Sequence, residues 1–191
     1  MRSPVADLLA DLADALADLG VAWYLFGARA AIIHGVARLT ADVDVTVRLP
    51  DRVSPEILAR SLEQRGFRQR FTDPAFLAAA RVVPFVHAPT GLPLDLVLAG
   101  PGLEDRFFER LTVHDIDGVR VPVASVEDLV VMKVLAGRAK DLEDVRVIAA
   151  TNRDALDQPY IRDLLGVLEQ ALGQSDLLLA FEEAVTRQRP R

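Results

Sequence analysis

Residues 41–48, Ala-Asp-Val-Asp-Val-Thr-Val-Arg, alternate strictly between valine and polar side chains after the opening alanine. A period of two is the pattern of a β-strand with one buried face and one wet face. Carried back to Arg38, the same alternation puts Arg38, Thr40, Asp42, Asp44 and Thr46 on one face and the valines on the other. Asp42 and Asp44 then point the same way, roughly 6 to 7 Å apart along the strand. Two carboxylates so placed repel and raise each other's pKa unless a cation lies between them. Magnesium suits that position, because it takes one or two carboxylates and lets substrate phosphates complete its shell.

The neighbouring segments supply the frame for such a strand. Val5, Leu8, Leu9, Leu12, Leu16 and Leu19 recur at helical spacing between Pro4 and Leu19, with Gly20 as the stop. Asp7, Asp11, Asp14 and Asp18 of the same stretch read as its wet face. Ala22–Phe26 is expected to be a short strand ending at Gly27, followed by a helix over Ala28–His34 closed by Gly35. Ser54 caps an amphipathic helix to Arg65. Arg81–Ala88 and Leu92–Ala99 flank Pro89-Thr90-Gly91 as a hairpin, and Val113–Asp115 and Val119–Val123 flank Asp117-Gly118 as another. Helices are expected near 126–138, 141–150, 159–172 and 176–188, with Gly137 separating the first two and placing Asp141 in a first turn. The expectation is a mixed α/β core over 1–124 and a helical part over 125–191 packed on it.

Asp95 is the single charge in Pro93-Leu-Asp-Leu-Val-Leu, a run that otherwise reads as a core strand. It is either the wet side of an edge strand or a third acid that joins Asp42 and Asp44 around two metals. Gly27 opens a helix, and unpaired N–H groups there suit an anion, although most such glycines are only turns. Lys133, Arg138 and Lys140 form a cationic cluster, to be weighed against a solvated helix surface in which Lys140 pairs with Asp144. His34 reads as a helix-end residue, His87 and His114 lack partners at metal spacing, and Arg187, Arg189 and Arg191 form a basic tail.

Composition narrows the chemistry. With 191 residues, 22 Lys+Arg against 28 Asp+Glu and a net charge of −6, the chain is not built mainly to grip a phosphate backbone. All but two of those basic residues are arginine, and the two lysines are Lys133 and Lys140. Zero cysteines exclude a disulfide framework, thiolate zinc and cysteine nucleophiles. Acids interrupt the N-terminal apolar pattern and no run of about 18 apolar residues occurs, so the expectation is a cytoplasmic protein with no membrane partner.

A strand ending in Gly27-Ala28, a following His34-Gly35, then Arg38-x-Thr40-x-Asp42-x-Asp44, a later Asp95, and Lys133 with Arg138-x-Lys140-Asp141-x-x-Asp144 resemble the nucleotidyltransferase superfamily. The resemblance spans about 20–150 and is nearest the minimal bacterial branch that includes AbiEii-like abortive-infection toxins. It implies an α/β (α+β) fold with a mixed sheet flanked by helices. It also implies transfer of a nucleoside monophosphate from a nucleoside triphosphate to a hydroxyl of tRNA, a protein or a small molecule, in a setting that could include a cognate toxin or antitoxin. Asp42 and Asp44 would bind Mg²⁺ bridging the phosphates, and Asp95 a second ion while helping to deprotonate the hydroxyl. Gly27 and Ala28 would cradle the phosphates, with Lys133, Arg138 and Lys140 beside Asp141 and Asp144 offsetting their charge, and Arg38 and Thr40 supporting the acids. The family pattern has Gly-Gly or Gly-Ser where this chain has Gly27-Ala28, so Ala28 keeps its N–H but adds a methyl and lacks a hydroxyl. That departure leaves open a catalytically weak binding protein of a two-gene pair, and a hydrolytic two-metal site is a further alternative.

Overall fold

The computed structural model describes residues 2–71 and 81–186, and Arg187, Arg189 and Arg191 lie outside the described residues. Its elements are α1 (Pro4–Leu19), β1 (Ala22–Phe26), α2 (Gly27–Ile33), β2 (Val43–Arg48), α3 (Pro55–Gln64), β3 (Phe67–Gln69), β4 (Val82–His87), β5 (Leu92–Leu98), α4 (Leu103–Glu109), β6 (Thr112–Ile116), β7 (Val119–Val123), α5 (Val126–Ala136), α6 (Ala139–Thr151), α7 (Gln158–Leu172) and α8 (Leu177–Thr186). The chain forms two compact units, one from Met1–Arg29 with Leu39–Ala124, the other from Ala30–Arg38 with Ser125–Arg191. The boundary crosses α2 after its first three residues.

The first unit is built on a seven-stranded sheet in the order β3-β4-β5-β2-β1-β7-β6. Antiparallel hairpins form its two ends, and parallel pairings of β2 with β5 and of β1 with β7 lie between them. The alternation expected over residues 41–48 forms a strand from Val43 onward. Val43, Val45 and Val47 are fully buried, and in register with them Leu25, Leu94 and Leu96 are fully buried too. The opposite face carries Tyr24 and Thr46, both buried, and the two acids Asp44 and Asp95. Phe108 of α4 stacks edge-on against Tyr24 and lies under the guanidinium of Arg48.

Helix α1 packs against β1, β5, β7 and α3. Its acidic stripe is not only a wet face. Asp11 accepts a hydrogen bond from the fully buried His87, at 2.9 Å from Nε2, while Nδ1 of that ring lies 2.9 Å from Thr90 Oγ1. Asp14 and Asp18 meet Arg65 beyond α3.

Two elements carry no sequence signal strong enough to be expected. Strand β3 has three residues and exists because Phe67 and Gln69 pair with His87 and Phe85 of β4. Helix α4 begins where Asp105 accepts the N–H of Gly102 at 3.0 Å, and it buries Phe107.

The second unit packs α5 against α6, α7 and α8. Helix α5 is buried nearly all round, so Leu129, Val130, Val131 and Val134 share the interior with Glu127, Asp128 and Lys133. Gly137 ends it in the left-handed conformation at φ 63°, and Asp141 falls in the first turn of α6, as the sequence predicts. Gly35, at φ 103°, closes α2 so tightly that a Cβ there would lie 2.6 Å from Thr151 Cγ2. Among the described residues no helix is long and apolar enough to cross a membrane.

Candidate active site

In the first unit, Asp44 and Asp95 are direct partners across the parallel β2–β5 ladder, so their side chains leave the same face of the sheet. At a strand spacing of roughly 5 Å, two ionised carboxylates repel by about 1 kcal/mol in bulk water and about 3 kcal/mol at the dielectric of a protein surface. A sheet does not carry such a pair without compensation. Asp44 presses on the strand-to-helix turn: a Cβ on Gly27 would lie 2.0 Å from Asp44 Oδ2. Gly27 also has φ 69°, a conformation that disfavours every side chain. The glycine is therefore fixed twice over, once by its backbone and once by the carboxylate it receives.

Asp42 lies just ahead of β2 and is exposed, because the ladder begins at Val43 and not at Ala41. The expected common face from Arg38 to Thr46 is thus interrupted. Arg38 belongs to the second unit, and Thr40 lies in the extended segment between α2 and β2. Arg29 supplies what the sequence reading missed. Its guanidinium donates to the carbonyls of Thr40 at 2.9 Å and Ala41 at 3.4 Å. Burial lowers its proton affinity, and the charges of Asp42 and Asp44 act in the opposite direction. Its Nε is buried with no hydrogen-bond partner among the described residues. On the other side Asp95 is held by Arg70, which follows β3. A clue to Arg29 lay in its place directly after Gly27-Ala28; nothing local marks Arg70.

Among the described residues no three His, Cys, Asp or Glu side chains gather closely enough to hold a metal ion by themselves. The donors present are still those of a hard divalent cation: an in-register pair of carboxylates, a third acid two residues upstream, and no sulfur. Magnesium needs only one or two carboxylates when phosphate oxygens supply the rest, so the residues fit it.

The second unit holds the other expected residues, and it holds most of them in ion pairs. Lys133 is 5% exposed, and its Nζ lies 2.7 Å from Asp144 Oδ2 and 3.4 Å from Asp141 Oδ1. Arg38 donates to the same Asp144 oxygen at 2.7 Å, and Arg138 Nε donates to Asp141. Burial works to raise the pKa of Asp141, but hydrogen bonds and charge from Arg138 and Lys133 outweigh it and hold the carboxyl below its ordinary value. The alternative of a solvated surface with Lys140 on Asp144 is not what forms, since Asp144 is buried and taken by Lys133 and Arg38. Lys140 is exposed and lines an open cavity of about 460 Å³ with Gly35, Ala37, Arg38 and Glu143. The expected site residues therefore fall into two groups. Gly27, Ala28, Thr40, Asp42, Asp44 and Asp95 belong to the first unit, and Arg38, Lys133, Arg138, Lys140, Asp141 and Asp144 to the second.

The mixed seven-stranded sheet flanked by helices matches nucleotidyltransferase-like folds among solved structures. An antigenic nucleotidyltransferase-like protein from Paracoccidioides brasiliensis superposes with a TM-score of 0.58 at 19% identity, over 95% of this chain and 94% of that one. The antibiotic-resistance factor ANT(2'')-Ia gives 0.61 at 16% identity over 91% and 97% in its solution structure. In its complex with adenylyl-2''-tobramycin it gives 0.60 at 14% over 89% and 99%. No curated protein matches the chain in sequence. Over residues 7–189 the chain belongs to the family described as nucleotidyltransferase of unknown function (DUF6036).

Proposed function

We propose that this chain is a magnesium-dependent nucleotidyltransferase that moves a nucleoside monophosphate from a nucleoside triphosphate to a hydroxyl of a small molecule. The observation that carries the reading is the in-register Asp44–Asp95 pair with Gly27 packed against Asp44. In this reading Asp42 and Asp44 hold one ion and Asp95 a second. Magnesium, when bound, supplies positive charge that offsets the phosphates and the entering and leaving oxygens. Gly27 and Ala28 present backbone N–H groups to the β- and γ-phosphates, with Thr40 and Arg29 setting the approach to Asp42. Asp95 accepts the proton of the acceptor hydroxyl as its oxygen bonds to the α-phosphorus and the bond to pyrophosphate breaks. In the second unit Arg138 and Lys140 are exposed cations suited to an anion, and Arg138 is positioned by Asp141 within the ion pairs of Arg38, Lys133, Asp141 and Asp144.

A small-molecule acceptor is supported by the fold neighbour solved with adenylyl-2''-tobramycin and by a net charge of −6, which offers no excess for a nucleic-acid backbone. The test is incubation with each of four α-labelled nucleoside triphosphates and Mg²⁺ against aminoglycosides, tRNA and a cell lysate. Label on a small molecule is the expected result, and Asp42→Asn should abolish it with the fold intact. Unchanged labelling by that variant would remove Asp42 from the site. Label on tRNA or protein instead would favour the AbiEii-like toxin setting with a cognate partner.

A second reading, a catalytically weak binding protein of a two-gene pair, is favoured by Ala28 alone. Ala28→Ser and Ala28→Gly decide it. A large gain in triphosphate affinity would mark the native site as degenerate, and no gain would support the enzyme.

A further inference from the structure

Arg29 and Arg70, two arginines of the first unit, are fixed beside the acids in different ways. Arg29 is half-buried and bonded to the carbonyls of Thr40 and Ala41, so it cannot leave without breaking both bonds. Arg70 is anchored by its backbone, whose N–H donates to the Pro84 carbonyl at 2.9 Å, while its side chain is 38% exposed. Among the described residues that guanidinium is bonded to Asp95 alone. Arg70 bonds Oδ1 of Asp95, which stands in register with Asp44, so a divalent cation that draws on Asp95 competes with Arg70 for that carboxylate.

We propose that Arg70 is a displaceable counter-ion: it holds Asp95 in the ligand-free protein, yields it to the divalent cation, and turns its freed guanidinium to a phosphate of the nucleotide. The proposal rests on the metal-dependent reading above. Charge drives the exchange. Without a metal, Arg70 offsets one of two facing carboxylates; with a doubly charged ion on Asp95, the guanidinium would be surplus positive charge and would be repelled. The triphosphate then offers a bidentate partner matched to the guanidinium fork. No covalent bond forms or breaks in the exchange.

The experiment compares the wild-type full chain with Arg70→Gln and Arg70→Lys. Mn²⁺ binding is followed by the paramagnetic resonance of the free ion, and binding of inorganic tripolyphosphate with Mg²⁺ by calorimetry. Arg70→Gln is expected to bind Mn²⁺ at least threefold more tightly than wild type and Mg²⁺-tripolyphosphate at least threefold more weakly, with Arg70→Lys close to wild type in both. Opposite signs are the signature, because a merely structural role would weaken both. Mn²⁺ affinity unchanged or lower in Arg70→Gln, with wild type still binding the ion, overturns the Arg70 proposal and leaves the metal-dependent reading standing. A wild type that takes up no Mn²⁺ even with tripolyphosphate overturns both. Arg70→Met serves in the same comparison if the glutamine variant does not fold.

Discussion

At the residue scale the two units show opposite uses of charge. Asp44 and Asp95 face each other as like charges across the ladder, with Arg70 on Asp95, whereas Lys133, Asp141 and Asp144 form a buried set of opposite charges. Removing one member of a buried ion pair leaves an uncompensated charge and costs about 3 to 5 kcal/mol. Lys133→Met is therefore expected to lower stability by that order in urea denaturation, while Lys140→Ala, on an exposed side chain, stays within about 0.5 kcal/mol. The pH dependence has a definite sign. Asp141 has a lowered pKa in the fold, so its contribution is fully present above the unfolded value of about 3.9 and is lost as pH falls through the folded value. The stability gap between wild type and Asp141→Asn should thus be constant at neutral pH and shrink below about pH 4; a gap unchanged down to pH 2.5 would contradict the assignment. Gly27 gives the sharpest contrast among glycines. Gly27→Ala strains a positive φ and drives a methyl into Asp44, and should cost well over about 2 kcal/mol. Gly91→Ala, at φ 71° with open space around it, should cost only about 1 kcal/mol.

At the scale of elements, local pattern accounts for those whose side chains report their own burial. The period of two located β2, and its valines are buried as that period requires. Helix α1 follows from its leucine spacing and from Gly20, left-handed at φ 65°. Asp11 shows the limit of the same reading. Its place in a regular acidic stripe says nothing of His87, which lies 76 residues on and reaches it only because β4 folds back. Asp11→Ala leaves a buried ring nitrogen without its acceptor and should cost about 1 to 3 kcal/mol. Asp14→Ala loses only a surface pair with Arg65 and should cost under about 1 kcal/mol, so equal losses in thermal melts would refute the distinction. Strand β3 and helix α4 escaped the sequence reading for one reason. Each is short, and each is stabilised by a distant partner, β4 for one and Tyr24 with Arg48 for the other.

At the scale of the whole molecule, the division of the chain does not follow a single cut. The helices after Ser125 form a unit that also takes in Ala30–Arg38, where Val36 is buried, Arg38 bonds Asp144, and the His34 carbonyl accepts from Asn152 at 3.0 Å. A chain ended at Ala124 would strip these partners from residues 30–38. It is expected to be cut by protease within that segment while the intact chain resists, and equal resistance would show that the segment needs no such cover.

The sequence by itself determined the mixed α/β class and the positions of most elements, and it singled out Asp42, Asp44 and Asp95 as candidates, because alternation, capping and glycine placement are local properties that neighbours in the chain express. Only the tertiary structure decided which acid faces which, that Arg29 and Arg70 are their counter-charges, and that Lys133 is spent on Asp141 and Asp144. Those facts depend on strand order, register and helix packing, which bring together residues that no spacing along the chain relates.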